Sequence, residues 1–579
     1  MLFASRRNPG TVTLRHVVTS VAIIAGVSAV LAGSFFAVVG RAHATGSPQS
    51  HARAGVLSPA GVSGDFSQTA SASASAAHVP ASFVAKGVRH TQGGQALRSA
   101  QAAHGPAATD SPLNDQQPGA LLTNFNGVSS LDSEVTNFGA KFEPPDQGLC
   151  VGNGYVVEPV NSAFSVYRTN GKLVAGPFNV NVLFNEGLTE FTSDPRCTFD
   201  KATHTWFAVI LFIATTPDGN FGNSAHTDIA VNTNSNPATP WTVYQLDATD
   251  DGTNGTPSHP GCPCFGDQPR LGIDSQNIYI STDEFSINGP EFNGTQIYAV
   301  SKANLIHHAK TVHFVQFDNL SIGGDIAFGV QPALTTGPAD AEYFLNSLDP
   351  DGTGDNRLGV WALTNGQKVS QGGMPTLSSV VIQSEAYGIP PAAIQKGSAS
   401  TLDSGDDRMQ QVQFINGNLW GALGTIITPK GDTTSRAGVA WFTVKPRLSG
   451  KMIGGASVRS QGYVASRGNY LLYPAIQASG NGVAAIVVTL SGAGTFPSAA
   501  YTVMSANQQG FGAVHVAARG TGPYDPNATR WGDYSWATLD PDHNSFWMAT
   551  EYIPPKASQT TTRERNWGTR VFQVAAVGD

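Results

Sequence analysis

The sequence predicts an all-β protein: a seven-bladed β-propeller of four-stranded antiparallel blades over residues 121–579, behind a signal or anchor helix and a disordered linker. Three observations carry that expectation. The 579 residues include 64 Gly and 35 Pro but only 13% charged residues, a composition of short strands and many turns. Two kinds of segment alternate seven times in strict order. The last repeat ends the chain one strand short, and Leu121–Val128, just ahead of the first repeat, reads as the strand that completes it.

Taken in chain order, Arg6, Arg7, Arg15 and His16 precede an apolar run from Val17 to Val39, and Arg41-Ala42-His43-Ala44 follows it. Basic residues, an apolar core and Ala-x-Ala are the layout of a secretory signal. The run also reaches the roughly 20 residues that span a bilayer. Residues 1–44 are therefore a cleaved signal peptide or an uncleaved membrane anchor, and membrane contact is expected only through them. Either way the rest of the chain is secreted or cell-surface, outside the cytoplasm. Residues 45–120 contain the low-complexity stretch SQTASASASAAHVPAS and only two aromatics, Phe66 and Phe83. They cannot bury enough surface to offset their ordering entropy, which predicts a disordered Ala/Ser/Gly/Pro-rich linker.

In the first kind of repeat segment a short apolar strand (A), a turn rich in Asp, Asn and Gly, and a second strand (B) follow one another. The segments are DQGLCVGNGYVVEPV from Asp146, DPRCTFDKATHTWFAVIL from Asp194, DQPRLGIDSQNIYISTDEF from Asp267 and QPALTTGPADAEYFLNSL from Gln331. RMQQVQFINGNLWGALGT from Arg408, YPAIQASGNGVAAIVVTL from Tyr473 and DYSWATLDPDHNSFWMATEY from Asp533 complete the set. Each is followed by one alternating strand (C), from AFSVYRTNGK at Ala163 to TRVFQVAAVG at Thr569. Most units also offer an outer strand (D), such as TVYQLD at Thr242 and TVHFVQFD at Thr311. Four antiparallel strands per unit of about 65 residues describe propeller blades. Two β-sandwiches would not explain seven equivalent A–B turns.

Four cysteines occur: Cys150, Cys197, Cys262 and Cys264. In an oxidising compartment an even count reads as two disulfides, with three connectivities open. Cys262-Pro263-Cys264 is too tight and too isolated for zinc, so structural staples are expected.

In a propeller the loops entering the A strands and those leaving the B strands share one face. That rule gathers Asp146, Asp194, Asp267, Asp407 and Asp533 at the A starts. Glu158, Glu284 and Glu551 stand at the B ends with Asp283 beside them, and Arg196, Arg270, Arg408 and Arg530 are interspersed. The ligand-binding candidates are Asp146, Asp194, Arg196, Asp267, Arg270, Glu284, Asp407, Arg408, Asp533 and Glu551. Carboxylates with backbone carbonyls would hold calcium, the one candidate cofactor. Arginines would grip an acidic polymer or glycan bidentately. Two carboxylates about 5–10 Å apart would serve a glycosidase. The plain alternative is structural: an Asp opening an inner strand caps turn N–H groups and pairs with a neighbouring Arg. No catalytic residue is assigned, because G-x-S-x-G, H-E-x-x-H and G-x-x-x-x-G-K are absent. DPDGTGDN from Asp349 has calcium-loop spacing but lacks the closing Glu. A net charge of -8 without any Lys/Arg-rich run excludes a nucleic-acid partner, and the protein is expected to be monomeric.

The segments CPCFGDQPRLGID, STDEF and RWGDYSWATLDPDHNSFWMATEY resemble those of a largely uncharacterised family of secreted bacterial propeller proteins. The resemblance covers about Asp146 to Tyr552 and implies the fold and export without a reaction. A sialidase-like architecture is the nearest catalytic comparison. No S-x-D-x-G-x-T-W box occurs, so no catalytic residue carries over. The expected function is an exported propeller binding an extracellular polymer, glycan or calcium ion at an acidic channel mouth. The alternatives are an extracellular glycosidase or polysaccharide lyase and a structural cell-surface module.

Overall fold

Short strands dominate the computed structural model, which describes residues 51–67, 105–114, 121–525, 527, 530–541, 545–555 and 564–576. The expected signal or anchor, residues 1–44, lies outside the described residues. Among the described residues the chain is mostly β, in several sheets, none of them closed on itself.

The A–B–C–D order expected from the repeats is present as antiparallel meanders. The first runs Cys150–Gly152, Tyr155–Pro159, Ala163–Arg168, Leu173–Asn179. The second is Phe191–Asp200, Thr205–Thr215, Phe221–Asn232, Thr242–Asp247. The third is Cys264–Ile273, Asn277–Ser286, Phe292–Ser301, Val312–Asp318. The fourth is Gln331–Thr336, Glu342–Ser347, Asp355–Thr364, Thr376–Tyr387. The fifth is Met409–Ile415, Asn418–Pro429, Arg436–Ser449, Met452–Val464. The sixth is Asn469–Ala478, Ala484–Gly492, Thr495–Met504, Val514–Ala518. The seventh, Trp536–Leu539, Ser545–Tyr552 and Gly568–Ala575, takes its fourth strand from Leu121–Ser129, which pairs antiparallel with Gly568–Ala575.

The inner strands are buried on both faces because neighbouring units cover both. TWFAVILFIAT buries nine consecutive residues, a pattern an edge or one-sided strand could not show. One core cluster draws Leu149 and Val151, Phe207 and Val209, Leu271 and Ile280, Leu334, Trp536 and Trp547 from five different meanders. The A strands lie against one another in chain order, with parallel pairing between the third and fourth and between the fourth and fifth. The seventh returns to the first: Gln147 Nε2 donates to the Tyr534 carbonyl at 2.9 Å, and the Asp533 N–H donates to Asp146 Oδ1 at 2.6 Å.

The disordered-linker expectation for residues 45–120 is corrected over 51–67 and 105–114. His51–Leu57 pairs with the outer strand of the third meander, and Pro59–Val62 with that of the second. Ala107–Ala108 pairs in parallel with Asn418–Pro429, and Leu113–Asn114 with the outer strand of the sixth. The stretch is poor in large apolar residues because backbone pairing on a sheet edge needs none, and covered edges do not pair with other chains. Phe66 anchors it, its ring 5.0 Å from that of Phe164 and 5.3 Å from that of Phe178. Residues 68–104 and 115–120, with Phe83, lie outside the described residues.

Candidate functional site

A recurring defect in the A strands places the charged side chains. Ser193 pairs with Leu211 and Arg196 with Val209, so one residue more stands on the A strand than on its partner. The same bulge occurs between Asp267 and Arg270 and between Leu472 and Ala475. Each contains a left-handed residue followed by proline: Asp194 (φ 60°), Gln268 (φ 46°) and Tyr473 (φ 51°). Proline has no N–H to lose from the ladder, and the bulge re-aims the side chain before it. Asp146 (φ 45°) holds the corresponding place ahead of the short first A strand.

Asp146, Asp194 and Asp533, from the first, second and seventh meanders, each offer a carboxylate oxygen, and the three oxygens lie within 4.8 Å of one another. Asn161 ties two of them together: its Nδ2 donates to Asp146 Oδ2 at 2.8 Å, and its Oδ1 accepts the Asp194 N–H at 2.7 Å. Arg530 donates to both oxygens of Asp533 and stands 3.6 Å from Asp403. Asp194 Oδ1 is buried without a hydrogen-bond partner. Burial, then the charges of Asp267 and Asp533, push the Asp194 carboxyl up to about 8. Burial and the same crowding hold Asp146 well above the usual carboxylate range. Glu551 is raised too, by burial first and then by Asp146 and Asp533, and its Oε2 has no hydrogen-bond partner. The Arg196 guanidinium lies 3.1 Å from the centre of the Tyr534 ring, with Nε and Nη1 buried and unbonded.

A second group is bridged by arginine. Arg270 Nη2 donates to Asp283 Oδ2 at 2.6 Å, and Thr295 Oγ1 and the Gly329 N–H donate to Asp283 Oδ1. Arg408 grips Asp406 through Nε and Nη2 and donates to Gln268 Oε1 at 2.8 Å. Burial lifts Asp267 to about 7 against the pull of Arg408. Paired in this way, these residues brace the loops.

Two candidates belong elsewhere. Glu284 follows Asp283 on the same strand, so it projects from the opposite face, where His259 Nδ1 lies 2.9 Å from its Oε2. Asp407 bonds the carboxyl of Asp349: burial raises both, and the bond raises Asp407 further while it lowers Asp349. Asp349 also accepts the N–H groups of Thr353 and Gly354, so DPDGTGDN folds on its own amides as a turn. Glu158 accepts the Val128 N–H at 2.8 Å and is raised to about 7 by burial. Sequence reasoning missed Asn161, Asp403, Asp406 and Tyr534. The signal within reach was the X-Pro step repeated at Pro195, Pro269, Pro332 and Pro474 in the A strands.

The cysteine pairing is Cys150–Cys197, joining the first two meanders with Cα atoms 5.2 Å apart, and Cys262–Cys264, 4.4 Å apart. No helix among the described residues is long and apolar enough to cross a membrane.

No family model and no curated protein matches the sequence. Solved structures that resemble the chain do so distantly. A Hadza microbial sialidase has a TM-score of 0.32 at 12% identity, over 60% of this chain and 63% of its own, so the chain spans under two thirds of that enzyme. An exo-β-1,3-galactanase from Clostridium thermocellum has a TM-score of 0.28 at 10% identity, over 79% and 96%. A polysaccharide lyase acting on ulvan has a TM-score of 0.32 at 10% identity, over 80% and 97%. These are carbohydrate-active enzymes, and likeness of this size assigns no reaction to the chain.

Proposed function

We propose that the chain is an exported seven-bladed β-propeller that binds a calcium ion at its acidic channel mouth, through Asp146, Asp194 and Asp533. The observation that carries this reading is the trio of carboxylate oxygens within 4.8 Å of one another, with Asp194 Oδ1 buried and unbonded. Calcium–oxygen distances of about 2.3–2.6 Å let two ligands of one ion stand up to about 5 Å apart. Crowded buried carboxylates repel, and a divalent cation relieves that repulsion where a proton now does. The cyclic contact of the A strands and the strand shared between the chain's two ends support the ring as its frame. Both disulfides suit an oxidising compartment, as do the basic residues and apolar run at the N-terminus. In this reading residues 1–44 are the signal or anchor, and 121–579 the propeller.

Isothermal titration of calcium chloride into the EGTA-treated protein tests it. One site is expected, with affinity lowered at least about tenfold in Asp194→Asn. Absence of heat at millimolar calcium, together with an unfolding temperature indifferent to EGTA, refutes it.

A second reading uses the same residues. Asp194 is protonated at neutral pH, with Asp533 beside it in an ion pair to Arg530. That is an acid and a carboxylate at close range, the equipment of a retaining glycosidase. Turnover of chromogenic glycosides that disappears in Asp194→Asn would favour it over the ion.

A further inference from the structure

The Cys262–Cys264 disulfide closes a loop around a single residue, Pro263. The stabilisation a cross-link provides grows with the loop it closes, so this bond constrains the unfolded chain far less than Cys150–Cys197, whose partners are 47 residues apart. Its surroundings are those of a reactive group. Glu284 Oε1 lies 3.9 Å from Cys262 Sγ, and both sulfurs and a Glu284 oxygen lie within 4.8 Å of one another. Glu284 Oε2 is 2.9 Å from His259 Nδ1, and His259 Nε2 is 3.6 Å from Asp318 Oδ2. Asn293 Nδ2 stands 3.8 Å from Cys262 Sγ and 3.6 Å from Cys264 Sγ, placed to donate to either sulfur. Cys262 is half-buried and Cys264 fully buried, so an attacking group reaches Cys262 first.

We propose that Cys262-Pro263-Cys264 is a redox-active disulfide that oxidises thiols, with Glu284 moving the protons and His259 holding Glu284 in place. The incoming thiol gives its proton to Glu284, and its sulfur attacks Cys262 Sγ. The Cys262–Cys264 bond breaks, and Cys264 leaves with the electron pair as a thiolate bonded to the Asn293 amide, then takes the proton from Glu284. A second thiol attacks the substrate sulfur of the mixed disulfide. Cys262 departs as a thiolate and is protonated by the same route. Two thiols become one disulfide, and the protein gains two electrons and two protons as its cysteines are reduced. A small disulfide such as oxidised glutathione restores the bond for further turnover. His259 suits its part: although burial opposes it, bonds to Asp318 and Glu284 carry its pKa up to about 10 and keep it a cation beside Glu284. The charged groups facing the pair are Glu284 from the B strand and His259 and Asp250 from the entering loop. Asp318 joins them from the D strand, and Glu291, against Gly261, from the B–C loop.

The test is differential alkylation of the folded, disulfide-intact protein after exposure to millimolar reduced glutathione, read by mass spectrometry. Cys262 and Cys264 are expected to be alkylated together while Cys150 and Cys197 stay protected. Exposed to oxidised glutathione, Cys264→Ser should hold one glutathione on Cys262 as a mixed disulfide and release the other as a thiol, and Glu284→Gln should slow reduction of the Cys262–Cys264 bond by about tenfold or more and flatten its pH profile. Reduction only under unfolding conditions overturns the proposal. So does an unchanged rate and pH profile in a folded Glu284→Gln protein, which would leave an exposed bond without a proton path.

Discussion

At the scale of single residues, the acidic cluster was legible as a list and illegible as an arrangement. Asp146, Asp194 and Asp533 open their repeats in the sequence, and the structure brings those three together. Neighbours in sequence were sorted apart: the strand's alternation turns Asp283 and Glu284 to opposite sides, and in the loop before Met409, Asp406 takes Arg408 while Asp407 takes Asp349. Asn161 gave no sign because an amide in a B–C loop is an ordinary turn residue. In the fold it holds one carboxylate with its N–H group and the next backbone with its carbonyl. Asn161→Ala leaves a buried carboxylate oxygen and a buried N–H short of partners, so a loss of about 1–3 kcal/mol is expected in urea denaturation. A variant as stable as the parent would show that water takes over both bonds. Calcium affinity should also rise from pH 6 to 8, because the ion displaces a proton that Asp194 holds up to about 8. An affinity flat over that range, measured by titration calorimetry in two buffers, would separate the ion from Asp194.

At the scale of elements, strand identity was plain and edge pairing was hidden. The alternation of apolar and polar residues marks Thr242–Asp247 and its counterparts as strands in any reading. HARAGVL at residues 51–57 carries little of that pattern, because its order comes from backbone bonds to an existing edge and from Phe66 downstream. Phe66→Ala removes that anchor. Limited proteolysis is expected to cut the variant between residues 51 and 66 while leaving a resistant core whose unfolding midpoint is little changed. Equal resistance in parent and variant would mean that the edge bonds suffice alone. Deleting residues up to 62 bares the outer strands of the second and third meanders, and the expected outcome is concentration-dependent association on size-exclusion chromatography.

At the scale of the whole molecule, the strand order within each unit and the pairing of Leu121–Ser129 with Gly568–Ala575 could be read because the same local problem is solved in each unit. The charge balance could not, since pKa values depend on burial that only the fold creates. Asp194 and Glu158 hold their protons in the fold up to about 8 and about 7 but release them near 3.8 and 4.5 once unfolded, burial being the largest cause. Unfolding therefore sheds protons across those windows, and stability falls as pH rises through them. His226 opposes its own burial through bonds to Asp228 and Glu186 that carry it to about 9. Its contribution is complete below 6.5 and is lost as pH rises through that value and on to about 9. The signs agree, so the calcium-free protein is expected to be more stable near about pH 5 than near about pH 9, with calcium flattening the difference. A thermal midpoint that climbs over that range would contradict the buried-proton account.

The central claim is that the Asp146, Asp194 and Asp533 carboxylates converge on an ion. Crystals grown with calcium and measured at long wavelength test it most directly. An anomalous peak with oxygens of all three aspartates at about 2.3–2.6 Å is expected. Aspartates bonded only to Asn161, Arg530 and one another, with no anomalous density between them, would contradict it.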